Sequence, residues 1–162
     1  MARTIRIFVA AVGLVALTAT SALAAATIHN LDVTFSGDTV TATADVSGLG
    51  SQKPAFAILE VEGFASYTCT NKGGTAAPGQ NPVPVVDESE PSPLGNTERN
   101  GRGTVNVSQT LTAPATVPAR EAGCPSRQWT ASLNDVVVTG ATLTITQGNQ
   151  VVFSQFFDNP NN

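Results

Sequence analysis

Apolar and polar residues alternate through most of this chain, and that alternation constrains the fold more than any other feature. From Leu31 to Val46 every second residue is apolar, apart from an interruption at Gly37-Asp38. A period of two is typical of β-strands with one buried face, and no convincing helical period of 3.6 occurs after the first 26 residues. The pattern predicts an all-β protein whose first hairpin turns at Gly37-Asp38.

Further strands are expected along the rest of the chain. The segment Ala55–Cys69 is apolar on both faces, which indicates either a central position in a sheet or a bulge at Gly63 that exchanges the faces. We expect Trp129, Ala131 and Leu133 to point inward. About eight short strands predict an antiparallel β-sandwich of immunoglobulin-like type, with a barrel as the alternative. The later predicted strands are Val83–Asp87, Thr104–Thr112, Arg127–Leu133, Val136–Thr146 and Gln150–Phe157.

Three segments rich in glycine and proline separate the strands. Asn71–Pro82, Glu88–Asn96 and Pro114–Pro125 lack any periodicity. Segments of this composition and length predict long loops, which are common sites of binding.

The N-terminal residues have the pattern of a signal peptide. Arg3 and Arg6 precede the apolar run Ile7–Leu17, and small residues then offer cleavage sites after Ala24 and Ala26. The apolar run has about 11 residues, whereas a membrane-spanning helix needs roughly 20. We therefore expect residues 1–24 to be removed, with cleavage after Ala26 as the alternative. This leaves a secreted domain at 25–157 and a polar tail at 158–162.

The mature chain is predicted to be acidic. Without Arg3 and Arg6 it keeps six of its eight Lys and Arg residues against twelve Asp and Glu residues, a net charge of about −6. The remaining basic residues are scattered, so no stripe of them can neutralise several phosphates. Nucleic acids and anionic lipids are therefore unfavourable partners.

The two cysteines are expected to form one disulfide. Cys69 and Cys124 both lie in the exported part, where oxidising conditions favour pairing. In the chain-entropy model, closing a loop of this length stabilises a fold by about 4 kcal/mol. Two cysteines and one histidine are too few for a cysteine-based metal site. We predict no metal and no cofactor.

The single histidine limits nucleophilic catalysis. A Ser-His-Asp triad would have to use His29, which lies near the mature N-terminus, and the chain has no G-x-S-x-G motif. A copper site at a mature N-terminus would lack its second histidine ligand. We interpret His29 as an exposed or partly packed strand residue.

Carboxylates are the other candidate catalytic groups. Asp87, Glu88 and Glu90 form the densest acidic cluster, which suggests either a glycoside-hydrolase pair or weak calcium binding. The cluster falls in a segment rich in serine and proline, where solvation opposes the raised pKa that a general acid needs. Glu60 and Glu62 are expected to form a solvent-facing row. We assign no catalytic residue and predict that the protein is not an enzyme.

Four short motifs stand out, namely Cys69-Thr70-Asn71-Lys72-Gly73-Gly74, Ala77-Pro78-Gly79-Gln80-Asn81-Pro82, Asn100-Gly101, and Gly123-Cys124-Pro125 with Trp129. With these motifs the chain resembles a family of short secreted proteins of actinobacteria. The resemblance covers most of the mature chain, implies export and pairing of the two cysteines, and carries over no catalytic residue. In size and acidity the chain is also similar to secreted immunoglobulin-like apoproteins that carry enediyne chromophores, although those have two disulfides.

These patterns predict a secreted, non-catalytic binding module. It would contact an extracellular protein, a glycan or a small hydrophobe through its three long loops. One alternative is a structural, self-associating envelope protein that assembles through its last strand, where Phe156 and Phe157 place apolar groups on both faces. A hydrolase that uses carboxylates alone is the other alternative.

Overall fold

The computed structural model describes residues 26–50, 54–95 and 101–161, and they form two antiparallel β-sheets. This confirms an all-β sandwich. The predicted signal peptide lies outside the described residues, among which no helix is long and apolar enough to cross a membrane. The strands are β1 (Thr27–Ser36), β2 (Thr39–Ser47), β3 (Ala55–Thr70), β4 (Ala76–Pro78), β5 (Val83–Glu88), β6 (Ser92–Pro93), β7 (Gly103–Thr110), β8 (Thr116–Val117), β9 (Thr130–Gln147) and β10 (Gln150–Asp158).

The smaller sheet contains three strands in the order β1-β2-β7. The predicted hairpin is confirmed, since Ser36 pairs with Thr39 across Gly37-Asp38. Gly37 has a φ of 62°, a left-handed conformation that glycine adopts without a steric penalty. Alternation along β2 then directs Val40, Ala42, Ala44 and Val46 into the core.

The larger sheet is built around two long strands. β3 pairs with β9 from Ala55 opposite Gln147 to Thr70 opposite Thr130. β6, β5 and β4 follow one another along the other edge of β3, while β10 and β8 pair with different parts of β9. β3 is therefore a central strand, with buried residues on its inner face and partly or well exposed residues on the other.

The prediction of two strands at 127–133 and 136–146 is wrong, because β9 is continuous. The register shifts between Leu133 and Asp135, which leaves Asn134 as an extra residue. The polar residues Asn134 and Asp135 therefore form a bulge and not a turn. Ala131 is buried as expected, and Leu133 is partly buried. The expectation for Trp129 is also wrong, because this residue precedes the strand and is only half-buried.

A second bulge in β9 lies opposite Gly63. Glu62 pairs with Gly140 and Gly63 with Val138, which leaves Thr139 as the extra residue. A Cβ atom on Gly63 would lie 2.1 Å from the carbonyl oxygen of Val137. Glycine at this position therefore permits the close approach of the bulged strand, while β3 itself keeps the same faces throughout.

The core has two parts. The first lies between the two sheets and includes Val40, Leu59, Val61, Leu143 and Ile145, all fully buried. The second lies under the crossing segment 111–129, beyond the reach of the smaller sheet. It consists of Ala65, Tyr67, Val83, Ala122 and Ala131, with partly buried residues around them.

The crossing segment is attached to β3 by the predicted disulfide. Cys69 and Cys124 are bonded, with their Cα atoms 5.7 Å apart. The Tyr67 hydroxyl donates a hydrogen bond to the carbonyl oxygen of Pro114 at 3.0 Å. The predicted loop Pro114–Pro125 thus covers part of the core.

The other two predicted loops are also more regular than expected. In the first, the Asn71 side-chain oxygen accepts hydrogen bonds from the backbone N–H groups of Gly73 and Thr75, each at 2.9 Å, and β4 follows this turn. The second contains β6. In the predicted polar tail, Asp158 ends β10 and the Asn159 side chain donates to the carbonyl oxygen of Val138 at 2.8 Å.

Candidate functional site

Five large apolar side chains of the described residues are well exposed, and all five lie on one face of the larger sheet. They are Phe64, Val86, Val137, Val151 and Phe156, with exposures from 43% to 63%. The strand registers place them on the side turned away from the smaller sheet, which we call the outer face. Apolar residues on this side do not contribute to either core.

Four of these side chains form a band across four strands. Phe64 on β3 lies opposite Val137 on β9, and Val86 on β5 is its diagonal neighbour. Opposite residues are about 5 Å apart and diagonal ones about 7–8 Å, so these side chains are within reach of one another. The Phe156 ring extends from β10 over Gly140, where a Cβ atom would lie 2.3 Å from its Cζ atom. We call Val86, Phe64, Val137 and Phe156 the outer-face band.

Carboxylates surround the band. Glu60 lies directly opposite Glu88, and Glu62 follows two residues along the same strand. Asp135 and Asp158 belong to the same face, by their pairing with Ser66 and Gly140. As the structure describes them, the seven strands of this sheet contain no lysine, arginine or histidine. The outer face is therefore apolar and negatively charged.

The acidic cluster predicted from the sequence is divided by strand alternation. Asp87 points to the inner side, where its Oδ2 accepts hydrogen bonds from the backbone N–H and the hydroxyl of Thr112, both at 2.6 Å. Glu88 lies on the outer face, and Glu90 is exposed beyond the end of β5. Adjacent carboxylates therefore point to opposite faces, an arrangement that does not favour a general acid with a partner base.

His29 lies at a cleft of about 640 Å³ at one end of the smaller sheet. Its Nε2 is 3.3 Å from the Ser47 hydroxyl oxygen. The neighbouring Asp45 carboxylate accepts a hydrogen bond from the Asn30 amide at 2.8 Å. A catalytic histidine is normally oriented by its carboxylate, whereas here the described bond of that carboxylate is to an amide. Arg102 also lines this cleft, so the site offers mixed polar groups and no triad geometry.

The sequence did not predict the grouping of His29, Asn30 and Asp45, because the β1-β2 hairpin contains one irregularity. A regular hairpin counted outward from Gly37-Asp38 would place Asn30 opposite Asp45. The register shift between His29 and Asp32 places His29 there instead, and Asn30 takes a φ of 49°. A bulge of one residue leaves no clear signal in an alternating sequence.

Tyr67 is a buried phenol in the second core. Burial raises the pKa of Tyr67 above its ordinary value of 10.0, and the Glu121 carboxylate raises it further. Burial thus favours the protonated hydroxyl, which is the form that donates the hydrogen bond to Pro114. This phenol therefore has a structural role in attaching the crossing segment.

The described residues contain no group of three or more His, Cys, Asp or Glu side chains that could hold a metal ion. A comparison with protein-family models found no match for this chain, and a comparison with curated proteins found none either.

Proposed function

We propose that this chain is an exported, non-catalytic interaction module that contacts a partner protein through the outer face of its larger sheet. The observation that carries the proposal is that, in the part of the chain that the structure describes, all five well-exposed large apolar side chains share this face. Contiguous apolar surface on a soluble domain is typical of protein interaction sites. The three predicted loops are less suited to this role than the sheet face. Pro114–Pro125 covers part of the core, Asn71–Pro82 contains β4, and Glu88–Asn96 contains β6.

Export and the finer fold type are part of the proposal. The signal-peptide pattern at residues 1–24 and a disulfide between Cys69 and Cys124 both suit an oxidising, extracellular location. Two antiparallel sheets packed around a shared core suit an immunoglobulin-like sandwich.

Site-specific photocrosslinking tests the proposed surface. A photoreactive phenylalanine analogue is placed at Phe64 or Val137 in the exported protein, and at Thr34 or Thr43 on the smaller sheet as a control. We expect covalent adducts with one partner from positions 64 and 137, because those side chains would be buried in the complex. Adducts that form equally from the control positions, or only from them, would refute the proposed surface.

Self-association through β10 is a second candidate, favoured by the composition of this edge strand. Among the described residues β10 pairs with β9 alone, and its nine residues include one charge, no lysine and no proline. β10 has a bulge at Val152, but the residues from there to Phe157 carry no charge, whereas β1, an edge of the smaller sheet, has both a bulge at 29–32 and a charged Asp32. Edge strands with few charged side chains pair readily with other strands.

The molar mass measured by light scattering over a range of concentrations tests this candidate. Val151 is 63% exposed, so Val151→Lys adds an edge charge without disturbing the core. If β10 mediates assembly, the wild type should form dimers as its concentration rises and the variant should stay monomeric. A monomeric wild type at all concentrations contradicts this candidate.

A further inference from the structure

We infer that the partner of the outer face is a cationic amphipathic polypeptide segment. Its basic side chains would lie on Glu60, Glu62 and Glu88, and its apolar side chains on the outer-face band. This inference rests on the proposed function and adds the chemistry of the partner to it.

The charge of the face selects among possible partners. Within residues 26–50, 54–95 and 101–161, the strands of the larger sheet place five carboxylates on it and no basic side chain. A second copy stacked on this face would bring like charges together, and nucleic acids or anionic lipids would be repelled. A basic partner would be attracted and correctly oriented by the same field.

The spacing of the face suits a polypeptide. Along β3 the charged residues Glu60 and Glu62 are followed by Phe64, at intervals of about 7 Å. Alternate side chains of an extended segment have this same spacing. A segment with both basic and apolar side chains on one side would therefore contact the carboxylates and the band together.

The opposed pair of glutamates is unfavourable for the isolated domain. Glu60 and Glu88 are direct cross-strand neighbours, and like charges in that position destabilise a sheet. Bound lysine or arginine side chains would relieve this repulsion. Removing the charges should therefore stabilise the free protein and weaken the complex, two effects that misfolding would not produce together.

Fluorescence anisotropy with labelled synthetic peptides tests the inference. The probe is a peptide of alternating lysine and leucine, compared with a lysine-serine peptide and a glutamate-leucine peptide of equal length. We expect the lysine-leucine peptide to bind at least roughly tenfold more tightly than either control, because only it offers both charge and apolar area. Equal binding of the lysine-serine peptide would overturn the role of the band.

Matched charge variants identify the carboxylates. The double variant Glu60→Gln/Glu88→Gln should weaken binding by roughly tenfold and raise the denaturant midpoint of the free protein. The control Asp32→Asn/Asp38→Asn removes the same charge from the smaller sheet and its turn, and should change affinity by less than about twofold. Equal weakening by both pairs would show attraction by net charge alone and would overturn the inference.

The apolar part is tested by Phe64→Ser. Because Phe64 is 45% exposed and outside both cores, this variant should fold and should lose most of its affinity for the lysine-leucine peptide. Unchanged affinity would overturn the inference. If adducts form at position 64 while no cationic peptide binds, the partner chemistry is wrong and the proposed function stands. If control positions alone form adducts, the proposed function itself fails.

Discussion

At the scale of single residues, the pKa of Tyr67 depends on the packing of the second core. Its ring is buried and its hydroxyl is bonded to Pro114, and burial raises the pKa of this phenol. The folded state thus holds the phenolic proton more tightly than the unfolded state. Stability from this group is complete below pH 10 and is lost as pH rises from there towards the raised pKa.

The direction of this pKa shift can be measured directly, because Tyr67 is the only tyrosine in the chain. Absorbance at 295 nm, followed as the pH is raised, should give a midpoint above 10 for the folded protein and near 10 in strong denaturant. The variant Tyr67→Phe should have a free energy of unfolding about 1 kcal/mol lower at neutral pH. It should also lack the loss of stability that ionisation of Tyr67 causes at alkaline pH. A folded midpoint at or below 10 would contradict the prediction.

Gly140 determines where the Phe156 ring lies. A Cβ atom there would lie 2.3 Å from Cζ and 2.6 Å from Cε2 of the ring. Gly140→Ala should therefore displace the ring and cost about 1–2 kcal/mol in the free energy of unfolding, measured by chemical denaturation. In a Phe156→Ala background the same substitution should cost clearly less, and an equal cost in both backgrounds would show that the ring is not the cause.

At the scale of elements, the crossing segment depends on its covalent attachment. It covers the second core through Ala122 and the partly buried Cys124, and the disulfide joins it to Cys69 on β3. Replacing both cysteines with alanine should lower the free energy of unfolding by about 2–4 kcal/mol. The same variant should be cut faster by trypsin at Arg120 and Arg127, since both are exposed within this segment.

Cleavage at Arg102 provides the control for that experiment. This residue lies next to β7, away from the crossing segment. Its rate of cleavage should stay the same if the disulfide acts locally. Equal acceleration at all three arginines would indicate global unfolding and would contradict a local role.

At the scale of the whole molecule, the long strands β3 and β9 are covered by two different parts of the chain, the smaller sheet and the crossing segment. The smaller sheet packs on the first core, around Leu59 and Leu143, and the crossing segment packs on the second, around Tyr67 and Ala131. Loss of the disulfide should speed amide hydrogen exchange at Tyr67 and Ala131 more than at Leu59 and Leu143. Exposure of the second core requires only the crossing segment to move, while the smaller sheet stays in place. Uniform acceleration would show that the two cores open as one unit.

The sequence by itself determined the properties that depend on local pattern and composition. A period of two establishes strands wherever one face is buried, so the β1-β2 hairpin could be predicted, while the central position of β3 was one of two alternatives that its sequence left open. Two cysteines allow one pairing, so the Cys69–Cys124 bond could be predicted as well. Alternation also separates Asp87 from Glu88, which the sequence shows once the strand is extended to Glu88.

Only the tertiary structure decided the features that depend on register and on pairing between distant segments. Bulges at Asn134 and Thr139 keep β9 continuous, because each adds a residue without ending the ladder. The outer face brings together Val86, Phe64, Val137 and Phe156, which lie on four different strands. Which apolar face is buried and which is exposed depends on what packs against it, and local periodicity is the same in both cases.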